Sequence, residues 1–204
     1  VLYPNFSLGN YQEVLFNVPR AIANSFVLSS ASTLLDVLLG TLIAYLVVRR
    51  RSATTAALDS CVMIPYAVPG TVIGVAYIVA FNVAPLELTG GMAILVLCFV
   101  FRNMPVGVRA GIAALAQIDK SLDEASSTLR ASTWRTLTHI VLPLLKPAIV
   151  ATLVFSFTHA MTAVSAVIFL ATAKHNLATV YIIGRVEAGE YPLAIAYSTV
   201  LMLF

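Results

Sequence analysis

The sequence predicts an all-α fold, a bundle of helices that crosses a membrane several times. Hydrophobic residues make up 60% of the 204 residues and charged residues only 10%, whereas charged residues account for about 25% of an average soluble protein. The mean hydropathy is +0.94. The apolar residues also lie in blocks long enough to cross a bilayer, which takes roughly 20 residues of helix. These observations exclude an ordinary soluble domain.

Four apolar blocks are long enough to span the membrane, and a fifth is cut short. The four spans are predicted near 21–48, 57–82, 91–111 and 147–171. The fifth, 191–204, offers about 14 residues at roughly 1.5 Å each, which cover only about 21 Å of a roughly 30 Å core. The chain also begins at Val1 without a signal-peptide pattern. We therefore expect one transmembrane domain over 1–204 that is a segment of a larger protein.

The basic residues are concentrated in two polar connections, which predicts the orientation of the spans. Three of them, Arg49, Arg50 and Arg51, directly follow the first span. Six more lie in or beside the long connection 112–146, namely Arg102, Arg109, Lys120, Arg130, Arg135 and Lys146, and only Arg20, Lys174 and Arg185 remain for the other side. By the positive-inside rule both connections face the cytoplasm, and segments 1–20, 83–90 and 172–190 face outward. This clustering also argues against nucleic acid as a partner, although the net charge is +3.

The sequence predicts no metal, cofactor or nucleotide site within the chain. Cys61 and Cys98 fall inside apolar blocks and show neither zinc spacing nor a disulfide framework. His159 has no partners at metal-ligand spacing, so it does not build an iron site by itself. A glycine-rich phosphate loop of the Gly-x4-Gly-Lys-Ser/Thr kind is also missing from the sequence.

The second span carries residues that interrupt a helix. Pro65 and Pro69 each remove a backbone donor, and Gly70 follows directly. We expect the helix to kink or open near 65–70, which is tolerated at membrane depth only where protein or a water cavity covers the backbone. Broken helices line the path in many transporters. A purely structural kink explains the same residues equally well.

A polar stripe is predicted on the fourth span. His159, Thr162 and Ser165 share one face of the predicted helix. Hydrogen bonds between helices explain such side chains more simply. In the functional interpretation, the stripe lines a translocation path together with the opened backbone near Pro69.

Asp36 lies near the middle of the first span, four residues before Gly40, which in turn is four before Ala44. The small residues allow close approach of another helix. An isolated intramembrane carboxyl group must be protonated, paired or exposed to water. A buried packing contact and a place in a conduction path both fit, and the second would suit an ion-coupled secondary transporter.

The long connection contains a polar, helix-forming segment. Ser121 and Glu124 match a capping box, which predicts a short helix from Leu122. Ser132 is placed to cap a second short helix that carries Trp134. Pro143 and Pro147 are then expected to bend the chain into the fourth span, so the two short helices form a compact exposed structure.

The stretch from Glu124 to Pro143 resembles the EAA loop of the inner-membrane permeases of binding-protein-dependent ABC importers. Its pattern is Glu-Ala-Ala, three residues, Gly, nine residues, Ile, one residue, Leu-Pro. The matching positions here are Glu124, Ala125, Ile140, Leu142 and Pro143. Ser126 replaces the second alanine, and Arg130 replaces the glycine. The glycine permits a tight turn, so Arg130 indicates either a different angle between the two short helices or a substitution at this position.

The resemblance extends over most of the chain and is strongest to the ferric-iron permeases. It rests on four further stretches, Asn24-Ser25, Ile64 to Gly70, Phe101 to Pro105, and Met161 to Leu170. It implies the type I importer permease fold in a bacterial inner membrane, with no enzymatic activity in this chain. It also implies separate ATPase subunits that hold ATP and magnesium, a second permease half or copy, and a periplasmic or extracellular binding protein.

By the same resemblance, residues 121–135 form the coupling helix that contacts the ATPase subunit. The implied contact residues are Ser121, Asp123, Glu124, Ala125, Ser126, Arg130, Ala131 and Trp134. Related permeases share this loop, so 2-aminoethylphosphonate, polyamine and thiamine remain alternatives to ferric iron. An intramembrane hydrolase is disfavoured because no nucleophile elbow accompanies His159, and a secondary transporter that uses Asp36 leaves the coupling loop unexplained.

Overall fold

The computed structural model describes residues 8–17, 19–50, 52–119 and 121–203, and over these ranges the chain is helical with no strand. The helices are α1 (Gly9–Gln12), α2 (Pro19–Arg49), α3 (Ala53–Ala67), α4 (Gly70–Phe81), α5 (Met92–Ala116), α6 (Ser121–Thr128), α7 (Thr133–Thr136), α8 (Leu142–Thr162), α9 (Ala178–Glu187) and α10 (Tyr191–Met202). Short π-helical turns follow α1 at Glu13–Asn17 and α7 at Leu137–Val141. The all-α prediction is confirmed.

Three helical stretches of the described chain are long and apolar enough to cross a membrane by themselves. They are Arg20–Arg49, Met92–Ala116 and Thr133–Thr162. The pair α3 and α4 passes the same test only when taken together, as one broken span. The apolar helix α10 is shorter and begins at the predicted residue, Tyr191.

The break in the second span lies where the prolines predict it. Helix α3 includes Pro65 and ends at Ala67. Val68 is extended, with φ −92° and ψ 132°, as the residue before a proline prefers to be. Pro69 then precedes the first residue of α4, Gly70, which is buried. The chain turns sharply here, because neither Val68 nor Pro69 continues the helical backbone.

The fourth span differs from the predicted range 147–171. The helical stretch begins at Thr133, before Pro143, and ends at Thr162. Residues 163–177 form turns and irregular backbone. The carbonyl of Ala163 accepts a hydrogen bond of 2.9 Å from the Thr179 hydroxyl. A backbone acceptor used in this way gives the chain an alternative to another helical turn. Apolar composition alone could not reveal this, because the segment after Thr162 is as apolar as the helix.

The described chain divides into two compact units where the sequence predicts one domain. Unit 1 comprises Val1–Ser30, Pro69–Cys98 and Ala160–Phe204, and unit 2 comprises Ala31–Val68 and Phe99–His159. Helices α2, α5 and α8 each contribute residues to both units. A division that runs through continuous helices leaves no linker in the sequence, and the apolar pattern therefore does not mark it.

Unit 1 has its core between α1, α9, α10 and the start of α2. The buried residues are Val14, Ala21, Ala178, Leu193, Ala196, Tyr197 and Val200. Polar contacts fix the start of α2 in this unit, since the Ser25 hydroxyl accepts a 2.9 Å bond from the Ala178 amide and the Asn24 side chain donates to the Asn176 carbonyl at 3.1 Å. Helix α9 lies within the predicted outward loop 172–190, and α1 lies within the predicted loop 1–20.

Unit 2 is held together by close packing of α2 on α5. A β-carbon added at Gly40 would meet the backbone of Gly107 at 3.4 Å, and one added at Gly111 would lie 2.7 Å from the β-carbon of Ala44. The predicted small-residue pair of α2 therefore faces a matching pair on α5. Small residues at such a crossing allow two membrane helices to approach closely. A second buried cluster in this unit joins Ala44 to Leu115, Val141 and Leu145.

Candidate functional site

Helix α6 and helix α7 form the exposed structure that the sequence predicts, and we call Ser121–Thr136 the two-helix segment. Its first turn differs from the prediction. Ser121 is already helical, and Asp119 caps the first turn from outside the helix, because its Oδ1 accepts from the Ser121 amide at 2.9 Å and its carbonyl accepts from the Leu122 amide at 3.2 Å. The hydrogen bond from the Ser121 amide lowers the pKa of the Asp119 carboxyl group. The predicted capping role of Ser121 is wrong, whereas the Ser132 hydroxyl does cap α7 through the Arg135 amide.

Ser126 connects the two short helices. Its side chain is buried, and its hydroxyl lies 2.6 Å from the hydroxyl of Thr136 on the other side of the turn. Thr136 Oγ1 is also within 3.3 Å of the Ser132 carbonyl. An alanine at position 126 would lack this hydrogen bond, which joins α6 to the last residue of α7. The serine therefore fits the structure because it fixes the angle between the helices.

Arg130 ends α6 in the left-handed region, with φ 54°. The Ala131 amide donates to the Ser126 carbonyl and the Arg130 amide donates to the Ser127 carbonyl, at 3.0 and 2.9 Å. These two bonds define a Schellman motif, which usually has glycine at the left-handed position. The turn that glycine would permit is therefore kept with arginine, at a cost of about 1–2 kcal/mol for the strained backbone.

A second helix of the same chain ends in the same motif with the expected residue. Gly189, with φ 77°, follows α9, where the Glu190 amide donates to the Arg185 carbonyl and the Gly189 amide donates to the Val186 carbonyl. A β-carbon added at Gly189 would meet nothing within 4 Å. The two turns have the same hydrogen bonds, but only the turn at Arg130 places a residue with a side chain in the left-handed region. Substitutions at Arg130 and Gly189 can therefore be compared directly.

We expect Arg130→Gly to raise the free energy of unfolding and Gly189→Ala to lower it, each by about 1 kcal/mol, because only the backbone strain changes. For a chain of this size that corresponds to roughly 2–4 °C in the unfolding temperature. Thermal unfolding of the purified protein in detergent measures both shifts. An unfolding temperature that falls on Arg130→Gly would show that the arginine side chain stabilises the turn by contacts that outweigh its strain.

The two-helix segment presents large apolar side chains to its surroundings. Leu129 is 82% exposed and Trp134 is 72% exposed, and Leu122 is also exposed. Glu124 and Ala125 are exposed beside them, and the Glu124 carbonyl accepts from the hydroxyls of Ser127 and Thr128. Exposed large apolar residues at the tip of a polar segment are typical of a protein contact. Ala131 is half-buried, and the side chain of Asp123 lies outside the described part.

The chain continues from α7 into the fourth span without a break in the helix. Thr133 to Thr162 forms one helical stretch, with the π-helical turn at Leu137–Val141 and Pro143 and Pro147 inside the helix or near its start. The Leu142 amide bonds the Leu137 carbonyl, five residues back. The π-helical turn widens the helix just before Pro143, where a proline would otherwise obstruct the preceding turn. The two-helix segment is thus attached to a continuous spanning helix.

Asp36 is buried in unit 2 and pairs with Ser156. It is 1% exposed, and the Ser156 hydroxyl donates to its Oδ2. Its Oδ1 has no hydrogen-bond partner within the described residues, and the same holds for Thr33 Oγ1. Gly107 passes close by, since a β-carbon there would lie 3.7 Å from Asp36 Oδ1 and 3.0 Å from Thr152. The carboxyl group therefore links α2 to α8 beside α5.

The predicted polar stripe is divided by the end of α8. His159 lies in unit 2, where its Nδ1 is 2.9 Å from the amide oxygen of the buried Asn103 and its ring stacks on Phe155. Thr162 is the last residue of the helix, so Ser165 does not share its face, and the predicted three-residue stripe is wrong. Both Thr162 and Ser165 are exposed.

Within unit 1, the segment after α8 does meet the opened second span. A β-carbon added at Gly74 would lie 2.5 Å from the carbonyl oxygen of Ala166. The start of α4, just after Pro69 and Gly70, is therefore packed against the backbone that follows Thr162. The predicted proximity between these two parts of the chain is found, although it is made by backbone rather than by a helical stripe.

An open cleft between α3 and α5 in unit 2 was not predicted from the sequence. It has a volume of about 520 Å³ and is lined by Met63, Tyr66, Pro105, Val106, Arg109 and Ala110. Arg109 spans it, with an ion pair to Asp59 at 3.4 Å and a contact to the Met63 sulfur at 3.3 Å. Because its residues come from two separate helices, no local pattern in the sequence marks it.

Spanning helices, a broken span and an exposed two-helix segment define a polytopic membrane transport component. The family model described as "Binding-protein-dependent transport system inner membrane component" matches residues 36–204. The chain belongs to this family. The resemblance seen in the EAA-like residues and the inner-membrane location are thereby confirmed.

Similar proteins agree with this assignment. The chain is 49% identical over 183 residues to the ferric transport system permease protein FbpB of Actinobacillus pleuropneumoniae, which covers 90% of this chain but only 27% of that protein. It is 28% identical over 211 residues to the sulfate transport system permease protein CysT of Escherichia coli, with 96% and 76% covered. The chain therefore spans about a quarter of the length of the ferric permease.

The fold also matches a solved structure. A bacterial ABC transporter involved in the import of the acidic polysaccharide alginate superimposes with a TM-score of 0.80 over 98% of this chain and 81% of that one. The sequence identity is 18%, so this likeness concerns the fold alone. It agrees with the importer permease fold that the EAA-like residues imply.

Proposed function

We propose that this chain forms part of the transmembrane permease of an ATP-driven importer, and that its two-helix segment couples the permease to a separate ATPase subunit. The observation that carries this proposal is the exposure of Leu129 and Trp134 on a segment whose internal bonds are satisfied by Ser126 and Thr136. A rigid segment with exposed apolar side chains is suited to insertion into a cleft of another protein.

The continuous helix supports the same proposal. Residues 133–162 join the two-helix segment directly to a spanning helix. A displacement of the segment would therefore be passed to α8 without an intervening flexible linker. That arrangement suits a transporter in which a separate ATPase subunit, which holds ATP and magnesium, moves the membrane helices through its contact with the two-helix segment.

The path for the substrate is proposed near the broken second span. Pro69 and Gly70 lie at the break in that span, and Thr162 and Ser165, in the same compact unit, are exposed polar residues. A second permease half or a second copy would complete the path, and a binding protein outside the membrane would deliver the substrate. Such a division of labour requires no tight substrate or metal site in this chain.

Ferric iron is the substrate we propose, because the relative with 49% identity is a ferric permease and the sulfate permease is only 28% identical. The alternatives that share the coupling loop are 2-aminoethylphosphonate, polyamine and thiamine. Selection among them rests on the binding protein, so the substrate must be measured with the assembled system.

Proteoliposomes test the proposal when they contain the permease polypeptide that carries this chain, its ATPase subunit and its binding protein. We expect ATP-dependent uptake of ferric iron and none of sulfate, thiamine, polyamine or 2-aminoethylphosphonate. Uptake of another member of this panel would overturn the substrate assignment alone. Uptake that persists without the ATPase subunit would overturn the coupling function.

Asp36→Asn separates this function from ion-coupled secondary transport. Asparagine keeps an oxygen that can accept from the Ser156 hydroxyl but cannot carry a proton through the cycle. We expect ATP-driven uptake within about twofold of the wild type, because asparagine can still accept the hydrogen bond from Ser156 that connects α2 to α8. Complete loss of uptake by a variant that still inserts and unfolds at the wild-type temperature would favour a proton-carrier role.

A further inference from the structure

We propose that Arg130 is a specificity-determining residue whose guanidinium pairs with a carboxylate on the ATPase subunit. This inference rests on the proposed coupling function and goes beyond it by stating which chemical group of the ATPase subunit Arg130 binds. It starts from the backbone of Arg130, which is left-handed with φ 54°.

The strain at Arg130 has no compensation within the described part of the chain. The side chain is exposed, and no hydrogen bond or ion pair to a described residue involves its guanidinium. Asparagine or aspartate would tolerate the left-handed region better through local hydrogen bonds, and Gly189 shows that the same turn elsewhere in the chain uses glycine. A strained, unpaired arginine is therefore explained by a contact outside the chain.

The charge around Arg130 indicates the chemistry of that contact. Residues 129–135 carry two basic side chains, Arg130 and Arg135, and no acidic one. Both arginines are exposed, and each directly follows an exposed apolar residue, Leu129 or Trp134. The planar guanidinium binds carboxylates with two parallel hydrogen bonds, so an acidic residue at the edge of the cleft that receives the apolar side chains is the fitting partner.

Binding of the ATPase subunit to the complete permease in nanodiscs of phosphatidylcholine tests this pairing. We expect Arg130→Gly to weaken binding about tenfold at low salt, and Arg130→Lys to weaken it about threefold, since lysine keeps the charge but loses the fork. Raising the KCl concentration should weaken the wild type more than Arg130→Gly. Arg50→Gly removes an exposed arginine from the other basic connection and should change nothing.

The outcomes separate the inference from the proposed function. Wild-type affinity of Arg130→Gly, while Leu129→Asp with Trp134→Asp abolishes binding, would overturn the role of Arg130 alone. If neither variant affects binding, the coupling function fails as well. An effect of Arg130→Gly that appears only when anionic phosphatidylglycerol is added to the nanodiscs would overturn the proposal in favour of a lipid headgroup. Because glycine is favoured at the left-handed position of this turn, Arg130→Gly should fold normally, and weaker binding by this variant would not reflect misfolding.

Discussion

Replacing Leu129 and Trp134 together with aspartate should reduce the affinity of the permease for its ATPase subunit by roughly thirtyfold or more, and ATP-driven uptake should fall with it. The two side chains are the most exposed large apolar groups of the two-helix segment. Buried tryptophan anchors commonly contribute about 2 kcal/mol or more to a protein interface, and a charge in the same cleft adds the cost of its desolvation.

The conservative pair Leu129→Met and Trp134→Phe provides the control. It keeps apolar volume at both positions, so binding and uptake should remain close to those of the wild type. Both side chains are exposed and take part in none of the hydrogen bonds that join Ser126, Ser132 and Thr136, so membrane insertion and the unfolding temperature should be unchanged in all four substitutions. Unaltered uptake by the aspartate variant, with normal expression, would contradict the assignment of this surface as the docking site.

Gly74→Ala should destabilise unit 1. The added carbon would lie 2.5 Å from the carbonyl oxygen of Ala166, a backbone atom that cannot rotate away. Overpacking of this kind typically costs about 1–3 kcal/mol, which lowers the unfolding temperature by several degrees in a protein of this size. Thermal unfolding in detergent and the yield of folded protein from membranes measure the loss.

Gly184→Ala is the matched control for this substitution. Gly184 lies inside α9, also in unit 1, and a β-carbon there would meet nothing within 4 Å. Alanine is favoured over glycine in a helix by up to about 1 kcal/mol, so this variant should be slightly stabilised. If Gly74→Ala were equally stable, α4 and the segment after α8 would have to be more loosely packed than the structure shows.

Local chemistry made several features of the chain predictable. The run of apolar blocks predicted the all-α membrane fold, since the bilayer permits only elements that satisfy their own backbone. Pro69 and its neighbours predicted the break in the second span, because a proline acts on the residues beside it in sequence. The spacing of Glu124, Ala125 and Pro143 indicated the family, which the match over residues 36–204 establishes.

Other predictions were incorrect because distant residues determined the structure. The fourth span was expected to reach residue 171, yet it ends at Thr162, where Thr179 takes up the next carbonyl and α4 packs against Ala166. The stripe that included Ser165 was lost with that turn. The cap of α6 moved from Ser121 to Asp119, a shift of two residues that the capping pattern alone does not resolve.

The sequence by itself determined that this protein is helical, lies in a membrane, has an interrupted second span and carries a polar segment with the spacing of a permease coupling loop. All of these depend on neighbours along the chain. Only the tertiary structure decided that Ser126 bonds Thr136, that Arg130 adopts a left-handed turn, and that Asp36 pairs with Ser156. The two hydrogen bonds depend on which distant residues meet in the fold, and the left-handed turn depends on how α6 ends before α7. The order of residues along the chain does not specify either.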